Sequence, residues 1–110
     1  MRLIEKEADI QRTCLEYLDM KGIMYLRLNS GDVYRPGAAG KMYRVKGCPK
    51  GTSDVLILHH KLDGEAIFCE FKSVSGNQTV EQQLFEAAVR CRGFRYHVIR
   101  SLDELMEVLK

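Results

Sequence analysis

Apolar residues recur at helical spacing near the start of the chain. At 100° per residue, Leu3, Ile10, Cys14, Tyr17 and Leu18 share one stripe, which predicts a helix over residues 3–21. Gly22 stops it, since glycine enters the left-handed conformation that ends helices. Glu5, Asp9, Glu16 and Asp19 lie mainly off the stripe, whereas Glu7 projects from its middle. A carboxylate on a core-facing stripe needs compensation, because burying an unpaired charge is costly. It either reaches the stripe's edge to meet a lysine or serves a site.

The pattern then changes period. Residues 24–29 (Met-Tyr-Leu-Arg-Leu-Asn) predict a first strand. Residues 54–60 (Asp-Val-Leu-Ile-Leu-His-His) carry a continuous apolar run, which predicts a strand covered on both faces and therefore central. Leu62-Asp63-Gly64-Glu65 supplies a turn, and residues 66–72 predict a third strand antiparallel to the second. Alternation sets Ile67, Cys69 and Phe71 on one face, and Ala66, Phe68, Glu70 and Lys72 on the other. A second helix runs from Val80 to Arg92, with Thr79 and Gln82 at capping-box spacing before a stop at Gly93. Residues 95–100 predict a fourth strand, parallel to the third because a helix joins them. A last helix, 102–109, turns Leu102, Leu105, Met106 and Leu109 to one side. This order predicts a mixed α+β domain, a four-stranded mixed sheet flanked by helices.

A chain of 110 residues suits one domain with its own core, and 45% hydrophobic residues exclude a disordered chain. No apolar run approaches the ~18 residues of a membrane helix, and the first residues lack the apolar core of a signal peptide. A cytoplasmic protein is expected. With 17 Lys+Arg against 15 Asp+Glu, net charge does not announce a nucleic-acid partner. Its distribution says more. Residues 30–53 hold both prolines, five of the nine glycines, and Arg35, Lys41, Arg44, Lys46 and Lys50 against Asp32 alone. Tyr34 and Tyr43 are interleaved with these bases, which suits phosphate contact plus stacking. The alternative is a solvated loop with a short hairpin. Cys14, Cys48, Cys69 and Cys91 form no C-x-x-C pair, and Cys14, Cys69 and Cys91 read as small core residues. Three scattered histidines suggest no metal cluster.

Three charged residues sit where a sheet can least accommodate them. Asp54 opens an apolar strand; Glu70 and Lys72 close the next and share a face. In an antiparallel pair joined by a short turn, the start of one strand lies beside the end of the other, so the three converge at one sheet edge. Two carboxylates that close repel unless a cation lies between them. Oxygen ligands select a hard ion, Mg²⁺ or Mn²⁺. Lys72 is then left to orient a water and offset developing charge on a phosphoryl centre. A surface Glu70–Lys72 pair is the plain alternative, and an isolated E-x-K is common. The combination with Asp54 after a glycine-containing loop, Glu7 and the Thr79–Gln82 opening is far more specific.

Gly51-Thr52-Ser53-Asp54 followed by Glu70-Phe71-Lys72 resembles the PD-(D/E)XK nuclease superfamily, and more narrowly the virus-type replication-repair nuclease (VRR-NUC) domain. Glu7, Arg27-Leu28-Asn29-Ser30-Gly31, Thr79-Val80-Glu81-Gln82 and Tyr96-His97-Val98-Ile99-Arg100-Ser101 extend the likeness over residues 1–110. Ser53 stands where the superfamily name has proline, a position without a catalytic role. The resemblance implies a restriction-endonuclease-like αβββαβ core with an extra C-terminal helix. It implies metal ligation by Asp54, Glu70 and the Phe71 carbonyl, with Glu7 reaching the ion directly or through water. Lys72 would position the nucleophilic water. Gln82 would lie near substrate, a role that capping does not exclude. Arg100 and Ser101 would meet the phosphate backbone, or Ser101 would simply cap the last helix. Arg27, Asn29, Ser30, Arg35, Lys41, Arg44, Lys46 and Lys50 complete the expected DNA contacts.

The implied activity is a Mg²⁺- or Mn²⁺-dependent endonuclease on branched DNA, a homodimer resolving Holliday junctions as in phage proteins, with no small-molecule cofactor. The first and last helices are candidate dimer surfaces. Alternatives are a flap or fork nuclease, a restriction-type enzyme, or a DNA-binding module that kept the fold without the chemistry.

Overall fold

The computed structural model describes residues 4–28, 31–59 and 64–110. Readings that fell on Leu3, Asn29, Ser30, His60 and residues 61–63 lie outside them. The elements are α1 (Glu7–Lys21), β1 (Met24–Arg27), β2 (Val33–Pro36), a 3₁₀ turn (Ala38–Gly40), β3 (Met42–Val45), β4 (Val55–His59), β5 (Glu65–Phe71), α2 (Val80–Cys91), β6 (Arg95–Ile99) and α3 (Leu102–Val108). The fold is mixed α+β, with three helices and a four-stranded mixed sheet in the order β1-β4-β5-β6. β4 pairs antiparallel with β1 and with β5, and β5 pairs parallel with β6 across the α2 connection. Among the described residues no helix is long and apolar enough to cross a membrane.

One face of the sheet carries the core. Val55, Ile57, Ile67, Cys69, Phe71 and Ile99 pack there against Ile10, Cys14 and Leu18 of α1 and Leu105 of α3. Those three α1 residues are the predicted stripe, with Tyr17 packed at its margin. The other face is covered only toward β6, where α2 brings Phe85 to Phe68 and Tyr96, with ring centroids 5.6 and 6.1 Å apart. Met24, Leu26 and Leu58 remain exposed on it.

That asymmetry corrects one expectation. β4 is central, but only Val55 and Ile57 are buried, while Leu56 is half-buried and Leu58 open. A long apolar run sets strand position, yet cover on the second face depends on how far α2 reaches. Three smaller corrections follow from packing. Cys91 is exposed, because α2 buries its Val89 side instead. In α3, Met106 faces solvent and Val108 packs inward. Residues 30–53 are not merely a loop: Val33, Tyr34, Tyr43 and Val45 are strand formers, and β2 pairs antiparallel with β3 as a separate two-stranded sheet.

Candidate active site

β4 and β5 place the acidic pair by register. Val55 pairs with Cys69, so one step further sets Asp54 across from Glu70 on the same face. The Phe71 amide donates to Asp54 Oδ2 at 2.7 Å, locking the carboxylate against β5. The Leu28 amide donates to the Asp54 carbonyl at 2.9 Å, carrying the β1 pairing one residue past Val55. The loop before Asp54 is held as firmly. Thr52 Oγ1 and its amide both donate to the Pro49 carbonyl, at 2.6 and 3.1 Å. Gly51, buried at φ +93°, lies so close to α2 that a Cβ there would stand 2.4 Å from the Glu81 carbonyl oxygen.

Lys72 follows β5 directly, and its amide donates to the Ile99 carbonyl at 3.0 Å, prolonging the β5–β6 ladder. Its side chain is buried, with Nζ 3.8 Å from Glu7 Oε1. Glu7 is the first residue of α1. It therefore projects past the end of the core and stays half-exposed, which is how a carboxylate sits in an apolar stripe without burial. The lysine expected at the stripe's edge is Lys72.

Glu70 is the anomaly. It is 1% exposed, and neither carboxylate oxygen has a hydrogen-bond partner. Gln78 and Tyr96 stand near enough to stabilise its charge somewhat. The Gln78 amide, however, is turned to Glu86 Oε1 at 3.0 Å and to the Tyr96 hydroxyl at 3.2 Å. Burial pushes the Glu70 carboxyl above the usual carboxylate range; Lys72 pulls it down and the Asp54 charge pushes it up. Burial also raises Asp54, opposed by the Phe71 amide, raised by Glu7, and lowered by Lys72 and Arg27. Glu70 thus senses the Asp54 charge, and both acids sense one shared ammonium. Burial, with Glu70 beside it, also holds the Tyr96 phenol protonated.

A hard cation fits this donor set. Neither buried Glu70 oxygen accepts a hydrogen bond, and Asp54 faces them from the start of β4. Among the described residues no three His, Cys, Asp or Glu side chains gather closely enough to hold a metal. Two carboxylates with main-chain oxygen and water remain, the usual number for Mg²⁺, which keeps waters and takes ligands from substrate phosphate.

The other expected residues divide. Gln82 closes a capping box: its Oε1 accepts from the Thr79 amide at 2.8 Å, and Thr79 Oγ1 accepts from the Gln82 amide at 3.2 Å. Arg100 braces the turn after β5, donating from Nη1 to the carbonyls of Ser73 and Gly76 at 2.6 and 2.7 Å. Ser101 caps α3 by accepting from the Glu104 amide. Arg27 is exposed and close enough to Asp54 to lower its pKa. Lys50 pairs with Glu81 at 3.6 Å. Arg35 and Arg44 lie on the β2–β3 ribbon, with Lys41 and Lys46 flanking β3. The Gln78–Glu86–Tyr96 cluster beneath Glu70 was missed. Only the parallel register, which pairs Phe68 with Tyr96, brings that tyrosine beside the acid's face.

No protein-family model matches this chain, and neither a curated protein nor a solved structure matches it. Fold and site define a mixed α+β domain with a buried glutamate, a half-buried aspartate and a buried lysine at one edge of its sheet.

Proposed function

We propose that this chain is a divalent-metal-dependent DNA endonuclease of restriction-endonuclease-like fold and VRR-NUC type, cutting branched DNA in the cytoplasm. One observation carries the reading: a fully buried Glu70 with both oxygens unpartnered, opposite Asp54 and beside the Lys72 ammonium. A stability-driven sequence replaces such a group with an apolar residue, because burying a carboxylate that accepts no hydrogen bond is costly. A catalytic site retains it to receive a cation.

Asp54 and Glu70, with the Phe71 carbonyl, would hold Mg²⁺ or Mn²⁺, which when bound supplies charge neutralisation at the scissile phosphate. Lys72 is kept in place by Glu7 and orients the attacking water. Its ammonium also offsets charge developing on the phosphoryl oxygens. A Holliday junction calls for two matched cuts, which a symmetric homodimer provides.

The test is a panel of labelled four-way junctions, flaps, forks, duplexes and single strands with Mg²⁺ or Mn²⁺. Branched substrates are expected to be cut, and Lys72→Ala is expected to abolish cutting with unchanged circular dichroism. Absence of metal-dependent cleavage on every substrate overturns the reading. Sedimentation at the mass of one chain, with single nicks on a junction, overturns the dimer.

A further inference from the structure

The β2–β3 ribbon stands apart from the four-stranded sheet, and every residue from Gly31 to Lys46 is exposed. It contributes no side chain to the core. Its register pairs Tyr34 with Arg44, and Arg35 with Tyr43. Cross-strand partners share a face and successive residues alternate, so each face presents one phenol ring beside one guanidinium. Gly37, Ala38, Ala39, Gly40 and Lys41 join the strands, small residues but for the last, with Ala39 at φ 60° and Gly40 at φ 73°. A Cβ at Gly37 would stand 3.1 Å from the Tyr43 ring, so the tip stays narrow where that ring lies. In the sequence from Gly31 to Lys46, Arg35, Lys41, Arg44 and Lys46 stand against one acid, Asp32, which lies 3.5 Å from Arg44.

A ribbon that reads a duplex from within one groove sets one face on the bases and turns the other to solvent. Here both faces carry the same aromatic and cationic pair. We infer that the ribbon is a wedge for the branch point of branched DNA: Tyr34 and Tyr43 stack on the exposed end pairs of two neighbouring arms, and Arg35 and Arg44 hold their phosphates. Linear duplex offers no such open end within its length, so the ribbon selects branches. The inference rests on the nuclease reading for its substrate class and adds the element that recognises it.

Binding in chelator separates recognition from chemistry. Anisotropy titrations use a labelled four-way junction and a linear duplex of the same arm sequence, with wild type, Tyr34→Leu/Tyr43→Leu, and Arg35→Gln/Arg44→Gln. All these positions are exposed, and circular dichroism checks folding. The tyrosine variant is expected to lose on the order of tenfold per ring on the junction and less than about twofold on the duplex. The arginine variant is expected to weaken both DNAs and flatten the salt dependence. 2-Aminopurine at the branch is expected to respond to wild type and not to the tyrosine variant. Equal losses on junction and duplex, or no loss from the tyrosine variant, overturn the wedge. Cleavage by wild type with Mg²⁺ is read separately. Tyrosine-dependent junction binding without cutting sinks only the nuclease; cutting with tyrosine-independent binding sinks only the wedge.

Discussion

Glu70 concentrates the tension between stability and function in one side chain. Its neutral isostere should relieve that tension. Glu70→Gln removes the buried charge and keeps the shape, and is expected to stabilise the metal-free protein at neutral pH by about 1–2 kcal/mol. It should also erase the rise in melting temperature that Mg²⁺ or Mn²⁺ gives wild type; calorimetry with and without chelator checks both. The pH dependence has a definite sign. Because burial raises the folded-state pKa of Glu70 above the ordinary carboxylate value, its stabilising contribution is complete below that value. It is lost as pH rises through the folded pKa. Metal-free wild type should therefore fall progressively behind Glu70→Gln from about pH 4 upward, with urea midpoints across pH as the measurement. Gly51 is the second residue whose identity is forced. A Cβ in conflict with the Glu81 backbone, at a φ that disfavours side chains, makes Gly51→Ala cost about 2–3 kcal/mol. The loop it belongs to leads into Asp54, so cleavage should fall further than stability does. Asp54, Glu70 and Lys72 were legible in sequence because charge in an apolar strand is a local signal. Gln78 and Glu86 were not, since polar residues in a turn and on a helix look solvated until Tyr96 is known to lie beneath Glu70.

Elements add a second layer of dependence. The α2 opening uses Thr79 and Gln82 reciprocally, so Thr79→Ala is expected to cost about 1 kcal/mol. Comparing it with Gln82→Ala separates capping from catalysis. If Gln82 also touches substrate, its variant loses kcat beyond the loss that Thr79→Ala causes at equal stability, as single-turnover rates and urea melts would show. Arg100 works the same way at the other side of the site. Its guanidinium gathers the carbonyls of the Ser73–Gly76 turn that follows Lys72, which makes it a positioning residue in this fold. Helix and strand positions were readable because α1, β4, β5 and β6 each keep one period along their length. The β2–β3 ribbon was left open by the sequence, because its glycines and bases mask four strand formers.

At the scale of the molecule, the ribbon accounts for an extended shape. The radius of gyration is 15.9 Å, and the principal extents are 51 × 44 × 31 Å. A compact chain of this length comes to roughly 13 Å. Replacing residues 32–47 by a short turn is expected to reduce the radius measured by X-ray scattering. It should leave the melting temperature within a few degrees, because no core side chain is removed. Local periodicity determined which residues of α1, β4 and β5 share a face, because the pleat and the helical turn are properties of neighbouring residues. That was enough to bring Asp54, Glu70 and Lys72 to one edge once β4 and β5 were taken as antiparallel. Only tertiary packing decided how far α2 covers the second face, and that Arg100 is spent on the carbonyls of the Ser73–Gly76 turn. It alone decided that neither Glu70 oxygen accepts a hydrogen bond, because hydrogen-bond satisfaction is a sum over distant segments that no stretch of sequence contains.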